Sequence, residues 1–292
     1  MSDSHHPAYY VPEPSPWPLI ASFSIFTMFV GGAATLNDMT FGPVVLGAGF
    51  LLFVFMLFGW FGVVVKESEG GLYDDDVDIS FRMGMAWFII SEVMFFAAFF
   101  GALYYARIYS VPWLGGEGSG LSTNQFLWPD FAATWPLLQV PDNLAFKEAK
   151  AVIGAWGIPL WNTMILLASG VTVTIAHWAL KKNDRQQLNI WLGATVALGI
   201  FFIYLQIGEY GHAFGDLDLT LNAGIYGATF FMLTGFHGFH VTMGTIMLFV
   251  ILVRCVRGHF TPKHHFAFEG VAWYWHFVDV VWLGLFIFVY WI

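Results

Sequence analysis

The sequence predicts an all-α membrane protein with seven transmembrane helices, and three observations carry that reading. Of the 292 residues, 58% are hydrophobic and only 11% are charged, against about 25% charged in a typical soluble domain. A soluble core of this length cannot bury so much apolar surface with so little charge left to cover the outside. Aromatic residues make up 20%, with 32 Phe and 14 Trp, which suits lipid-facing helices with interfacial belts. Third, seven stretches carry little or no charge over the ~20 residues that a bilayer core requires.

The opening MSDSHHPAYYVPEPSPW has no Lys or Arg and no apolar core, so it does not read as a signal peptide of the usual kind. Residues 17–36 and 41–65 are uncharged, and the short Asn37-Asp38-Met39-Thr40 link makes them an antiparallel hairpin. Residues 83–106 carry only Glu92, and residues 157–180 and 188–208 carry no formal charge. Residues 219–253 are uncharged but too long for one untilted span, so either the first few lie outside the hydrocarbon or the helix tilts. Residues 267–292 hold Glu269 and Asp279. The expected organisation is a tail plus two helices over 1–66, a connection over 67–82, and five helices over 83–292 with a long outer loop at 110–155. That loop is rich in Gly, Pro and Trp and too short for its own core. Trp113, Trp128 and Trp135 suggest packing on the membrane surface or a partner subunit, and a lineage-specific cap without chemistry fits the loop equally well. Gly115 to Gly120 reads as a flexible loop, and Asp74 to Asp78 as a solvated acidic one in preference to a surface proton-collecting patch.

Basic residues set the orientation. One face receives Lys66, Arg82, Lys181, Lys182, Arg185, Arg254, Arg257 and Lys263; the other receives Arg107, Lys147 and Lys150. The N-terminus is therefore expected in the cytoplasm and the C-terminus on the opposite side, in the periplasm if the membrane is a bacterial plasma membrane, which fits better than its organellar equivalent. A formal charge of -9 argues against nucleic acid. The single cysteine, Cys255, excludes an intramolecular disulfide or a thiolate metal cage.

Ionisable groups inside spans are costly and mark candidate sites. Glu92 lies ten residues past Arg82, about 15 Å along a helix and near the midplane. No basic residue shares its span below the outer end, so desolvation is expected to keep it largely protonated. It reads either as a proton-exchanging carboxyl or as a packing acid bonded to a neighbouring helix. His237 and His240 share one helix face at i, i+3, as do His276 and Asp279. They could form a metal or haem site or a buried interhelical network, and the flanking Gly235 and Gly238 favour close packing and hence the network. Arg254, Arg257, His259, Lys263, His264 and His265 crowd one short turn, with Arg82 and Lys66 on the same face and Trp60 nearby. Basic residues at that depth suit anionic phospholipid head groups, though the positive-inside bias alone would also place them there. No Walker motif, nucleophile elbow or Cys/His metal spacing is present.

Several runs together resemble one family. They are Ala272-Trp273-Tyr274-Trp275-His276-Phe277-Val278-Asp279-Val280-Val281-Trp282, Gly235-Phe236-His237-Gly238-Phe239-His240-Val241, His259-Phe260-Thr261 with His264-His265-Phe266, and Ile90-Ser91-Glu92-Val93. Trp161-Asn162-Thr163 with Ser169-Gly170 adds a fifth. The pattern is similar to subunit III of the cytochrome c oxidases, over nearly the whole chain. The resemblance implies two bundles, helices one and two and helices three to seven, in a V whose cleft holds phospholipid. It implies an accessory role without catalytic residues, metal, haem or copper in this chain. Subunits I and II are the implied partners, with haem and copper housed there and cytochrome c reached through the complex. Glu92 matches a buried third-helix carboxylate associated with proton uptake. Trp60, Glu67, Arg82, Arg254 and His259 match lipid-contact positions. The connection Glu69-Gly70-Gly71-Leu72-Tyr73-Asp74 departs from the family's usual His-His-Thr type, and the outer loop is longer than in compact members. Competing readings are subunit III of a quinol oxidase, a stand-alone proton-coupled transporter built on Glu92, and a haem-bearing electron carrier. The first-two-helix hairpin speaks against the quinol relative, and the lack of evident repeats or broken helices against the transporter.

Overall fold

The computed structural model describes residues 10–291, so both chain ends, and with them the expected placement of the termini, lie outside the described residues. The described residues are all helical in their regular structure, with seven helices long and apolar enough to cross a membrane. In chain order the helices are α1 (Trp17–Leu36), α2 (Gly42–Glu69), α3 (Asp75–Tyr105), the short outer helices α4 (Val111–Leu114) and α5 (Leu121–Leu127), then α6 (Ile158–Lys181), α7 (Arg185–Gly215), α8 (Gly224–Val256) and α9 (Phe266–Leu285). The chain divides into two compact units, Met1–Phe81 and Arg82–Ile292, which accords with the two expected bundles.

In the first unit α1 and α2 form the expected hairpin, turning at Asp38 with φ of 56°. Small residues let the two backbones meet. A Cβ added at Gly31 would lie 2.3 Å from Leu46 N, and one at Gly49 would lie 2.7 Å from Met28 N. The outer faces stay apolar, with Phe26, Phe29, Leu51 and Phe58 among many exposed side chains.

One expectation fails at the start of α3. The acidic run is not a solvated loop: Asp74 Oδ1 accepts the Val77 N–H at 2.9 Å, and Asp75, Asp76 and Asp78 form the first turn. The reason is local. A side-chain cap satisfies an orphan N–H, and carboxylates are favoured at the positive end of the helix dipole. Charge therefore stopped the uncharged-stretch estimate eight residues too late, because helices outlast the hydrocarbon.

In the second unit α6 packs on α7, α7 on α8, α8 on α9, and α9 back on α6. Trp275 and Trp282 fill the centre, 0% and 1% exposed. Their indole N–H groups would be stranded there without acceptors. Trp275 donates to Ser169 Oγ and Trp282 to Thr163 Oγ1, both at 2.9 Å. Gly244 and Gly199 give the Trp275 ring its room, a Cβ at either coming within about 3 Å of it. α3 joins through ring edges, Phe95 against Phe236 at 4.9 Å and Phe96 against Phe277 at 6.0 Å between centroids. Within the uncharged 219–253 stretch the helix begins at Gly224, where φ is 68°.

The outer loop is more ordered than its composition suggests. Gly118–Gly120 forms a 3-10 turn closed around Trp113, whose Nε1 donates to Ser119 Oγ at 3.1 Å. Trp135 packs edge-on against Tyr226 of this same chain. Lys147 and Lys150 hold Asp218 at 2.7 and 2.6 Å. Those two ammonium groups draw the Asp218 carboxyl down to about 2.

Candidate functional site

The interior of the second unit gathers most of the polar residues singled out from sequence. α3 carries Glu92 and α8 carries His240, and the two meet: His240 Nε2 lies 3.0 Å from Glu92 Oε2. The other ring nitrogen, Nδ1, sits 2.6 Å from the Phe236 carbonyl. A carbonyl only accepts, so Nδ1 must carry a hydrogen. The Nε2–Oε2 contact then needs one shared proton, as a carboxylic acid donating to neutral imidazole or as a carboxylate facing imidazolium. Phe96 and Tyr274 flank the imidazole. The Glu92 side chain is 22% exposed on the outside of this chain, while His240 is buried.

His237, one helical turn earlier, points elsewhere. Its Nε2 donates to the Val278 carbonyl at 3.2 Å, between the rings of Phe202 and Trp282. Asp279 lies 3.8 Å from His276 Nδ1, beside Gly170, where a Cβ would come 2.5 Å from Asp279 Oδ2. The four residues read together as one network thus occupy three separate arrangements: His240 with Glu92, His237 with backbone, and Asp279 with His276.

Arg82 and Glu269 form an ion pair, and the Arg82 guanidinium stands 5.9 Å from the Phe266 ring. Arg254 stacks over Phe260 at 4.4 Å, at the start of the turn that also holds His259. In the first unit, Trp60 is partly exposed, and Glu67 accepts from the Tyr73 hydroxyl at 2.7 Å.

Two clusters escaped the sequence reading. Glu209 is 1% exposed, accepting from Tyr290 at 2.7 Å and Gln206 at 3.1 Å, with Asn162 donating to Gln206 behind it. The uncharged stretch ends at Gly208, so charge patterning does not mark Glu209 as lying within a span, whereas α7 continues to Gly215. The second cluster is His177, His265 and Glu269, whose ligand atoms all lie within 4.8 Å of one another. Burial holds the His265 imidazole below its ordinary range. The i, i+4 spacing of His265 and Glu269 was a usable signal; nothing in the linear chain tied His177 to them.

Fold and interior define the class: a multi-pass membrane protein built as a helical hairpin and a five-helix bundle, with several polar groups buried in the bundle. The match to known proteins is specific and covers the chain. The family model described as "Cytochrome c oxidase subunit III" matches residues 6–127 and 129–292. "Cytochrome c oxidase subunit 3" of Marchantia polymorpha is 40% identical over 292 residues, covering 100% of this chain and 98% of that one. The protein of the same name from Papio hamadryas is 40% identical over 285 residues, covering 97% of each. That of Chondrus crispus is 39% identical over 291 residues, covering 99% and 95%. The chain belongs to the cytochrome c oxidase subunit III family. It is a multi-pass membrane subunit of a respiratory oxidase complex.

Proposed function

We propose that this chain is a non-redox accessory subunit of a proton-pumping cytochrome c oxidase, docked on subunits I and II, which hold the haem and copper and receive electrons from cytochrome c. It supports proton uptake during oxygen reduction and carries phospholipid. The observation that carries the protonic role is the Glu92–His240 contact, which holds one proton between two groups able to exchange it, inside a membrane span. The accessory role is supported by His237 and His240 themselves: hydrogen bonds to Val278, Phe236 and Glu92 engage three of their four ring nitrogens. Phospholipid binding is assigned to Trp60 and Glu67 in the first unit and to Arg82, Arg254 and His259 in the second. The cytoplasmic N-terminus and periplasmic C-terminus of a bacterial plasma membrane rest on the distribution of Lys and Arg.

Glu92→Gln tests the protonic role. The amide cannot share a proton with His240, so the variant oxidase should assemble with unchanged haem content and take up protons more slowly, with an altered pH dependence. Complete loss of oxygen reduction would make the carboxyl catalytic; unaltered proton uptake would leave it a packing group. Haem and copper content should be the same in the oxidase prepared with and without this chain. Mass spectrometry of the complex should show phospholipid lost when Arg82 and Arg254 become Ala, and unchanged lipid would remove those two from the lipid site.

A further inference from the structure

The geometry points to a divalent transition-metal site, suited to zinc, formed by His177 of α6 with His265 and Glu269 at the start of α9. His265 immediately precedes α9 and Glu269 lies in its first turn, so the two face the same way. His177 comes from the last turns of α6, its ring edge-on to that of His265 with centroids 5.3 Å apart. The donor atoms are unspent. By hydrogen-bond geometry His177 Nε2 and the ring nitrogens of His265 are buried without a partner, the Thr261 backbone being the one polar group that acts on the His265 ring from its own turn, and His265 as a whole is 6% exposed. Buried polar groups are almost always satisfied, so two imidazoles in this state side by side call for a common partner.

Glu269 supplies the third donor. Its Oε1 lies 4.0 Å from His177 Nε2, while its Oε2 faces the Arg82 guanidinium. Arg82 therefore orients the carboxylate from behind, as outer partners do at metal centres. Two imidazoles and one carboxylate are a recognised zinc set with an open fourth position, whereas calcium and magnesium favour oxygen alone. Zinc bonds of about 2.0–2.1 Å at tetrahedral angles place ligand atoms roughly 3.4 Å apart. The three atoms, within 4.8 Å of one another, reach that spacing by small side-chain rotations. Arg82 and Lys181 act electrostatically on both histidines and oppose a cation here, so the coordinate bonds must outweigh that repulsion. A bound ion staples the end of α6 to the start of α9 without any redox change, so the site stands independently of the Glu92 assignment.

The purified oxidase complex, stripped with chelator and then re-equilibrated with zinc chloride, provides the test. Zinc per complex is counted by plasma mass spectrometry in the parent, in His177→Gln and in His265→Gln, with zinc K-edge absorption on the parent. The expected result is one zinc fewer in both variants, at least ~10-fold weaker zinc retention, and an edge spectrum showing two nitrogen-rich ligands. Zinc should also raise the melting temperature of the parent and not of the variants. Equal zinc content and equal melting shifts in parent and variants would overturn the site, leaving the Arg82–Glu269 ion pair as the whole of the arrangement. If one variant fails to assemble, the other decides by the same count.

Discussion

The α1–α2 hairpin and the α6–α9 bundle solve one problem by different means. In the hairpin, hydroxyls turn back on their own helix: Ser22 to Pro18 O, Thr27 to Phe23 O and Thr35 to Gly31 O. Contact between its helices comes from glycines that let backbones touch. In the bundle, polar side chains reach across helices, as in Trp275 to Ser169, Trp282 to Thr163, Tyr290 to Glu209 and His240 with Glu92. Apolar burial offers little drive between helices already in lipid, so close packing and interhelical hydrogen bonds remain. The hairpin relies on the first and the bundle adds the second. A unit meant only to stay together needs shape, whereas one that must hold protons or ions needs paired polar groups in fixed positions.

The largest effect should come from emptying the bundle's centre. Trp275→Ala removes a wholly buried ring, at a cost of about 3–5 kcal/mol, read as loss of assembled subunit or a lowered melting temperature of the complex. Gly31→Leu, the hairpin's counterpart, drives a side chain into the Leu46 backbone and should cost about 1–3 kcal/mol. Proteolysis confined to the first unit, with the second intact, would show that the units fail separately; joint failure would merge them.

A finer contrast compares hydroxyls. Ser169→Ala leaves the Trp275 N–H unsatisfied and should destabilise by about 1–3 kcal/mol. Thr27→Val removes a hydroxyl bonded only within its own helix and should stay within about 0.5 kcal/mol. Equal effects in thermal melts would erase the distinction. The smallest effect belongs to the loop clasp of Lys147 and Lys150 on Asp218. The folded carboxyl titrates near 2 against an ordinary 3.8, so its contribution is complete above pH ~4 and is lost as pH falls toward 2. Hydrogen exchange in the 140–155 segment should rise across that window, and Asp218→Asn should show no such step.

Much of this was readable in the chain. Long uncharged stretches locate spans because hydrocarbon tolerates few charges. Individual residues were readable as candidates too: a lone Glu92, paired His237 and His240, and Asp279 in an apolar helix stand out by cost alone. Their partners were not. His237 and His240 lie one turn apart yet serve different neighbours, because the rotation of α8 turns one toward Val278 and the other toward α3. Asp74 to Asp78 read as loop since charge was taken to end helices, when at a helix start it caps them. Glu209 and the His177, His265 and Glu269 group came together only in three dimensions. The sequence by itself determined what could lie in lipid, because transfer into hydrocarbon depends on composition one residue at a time. Only the tertiary structure decided which acid meets which base, because hydrogen bonds and metal coordination act over about 3 Å and depend on how helices distant in sequence are turned toward each other.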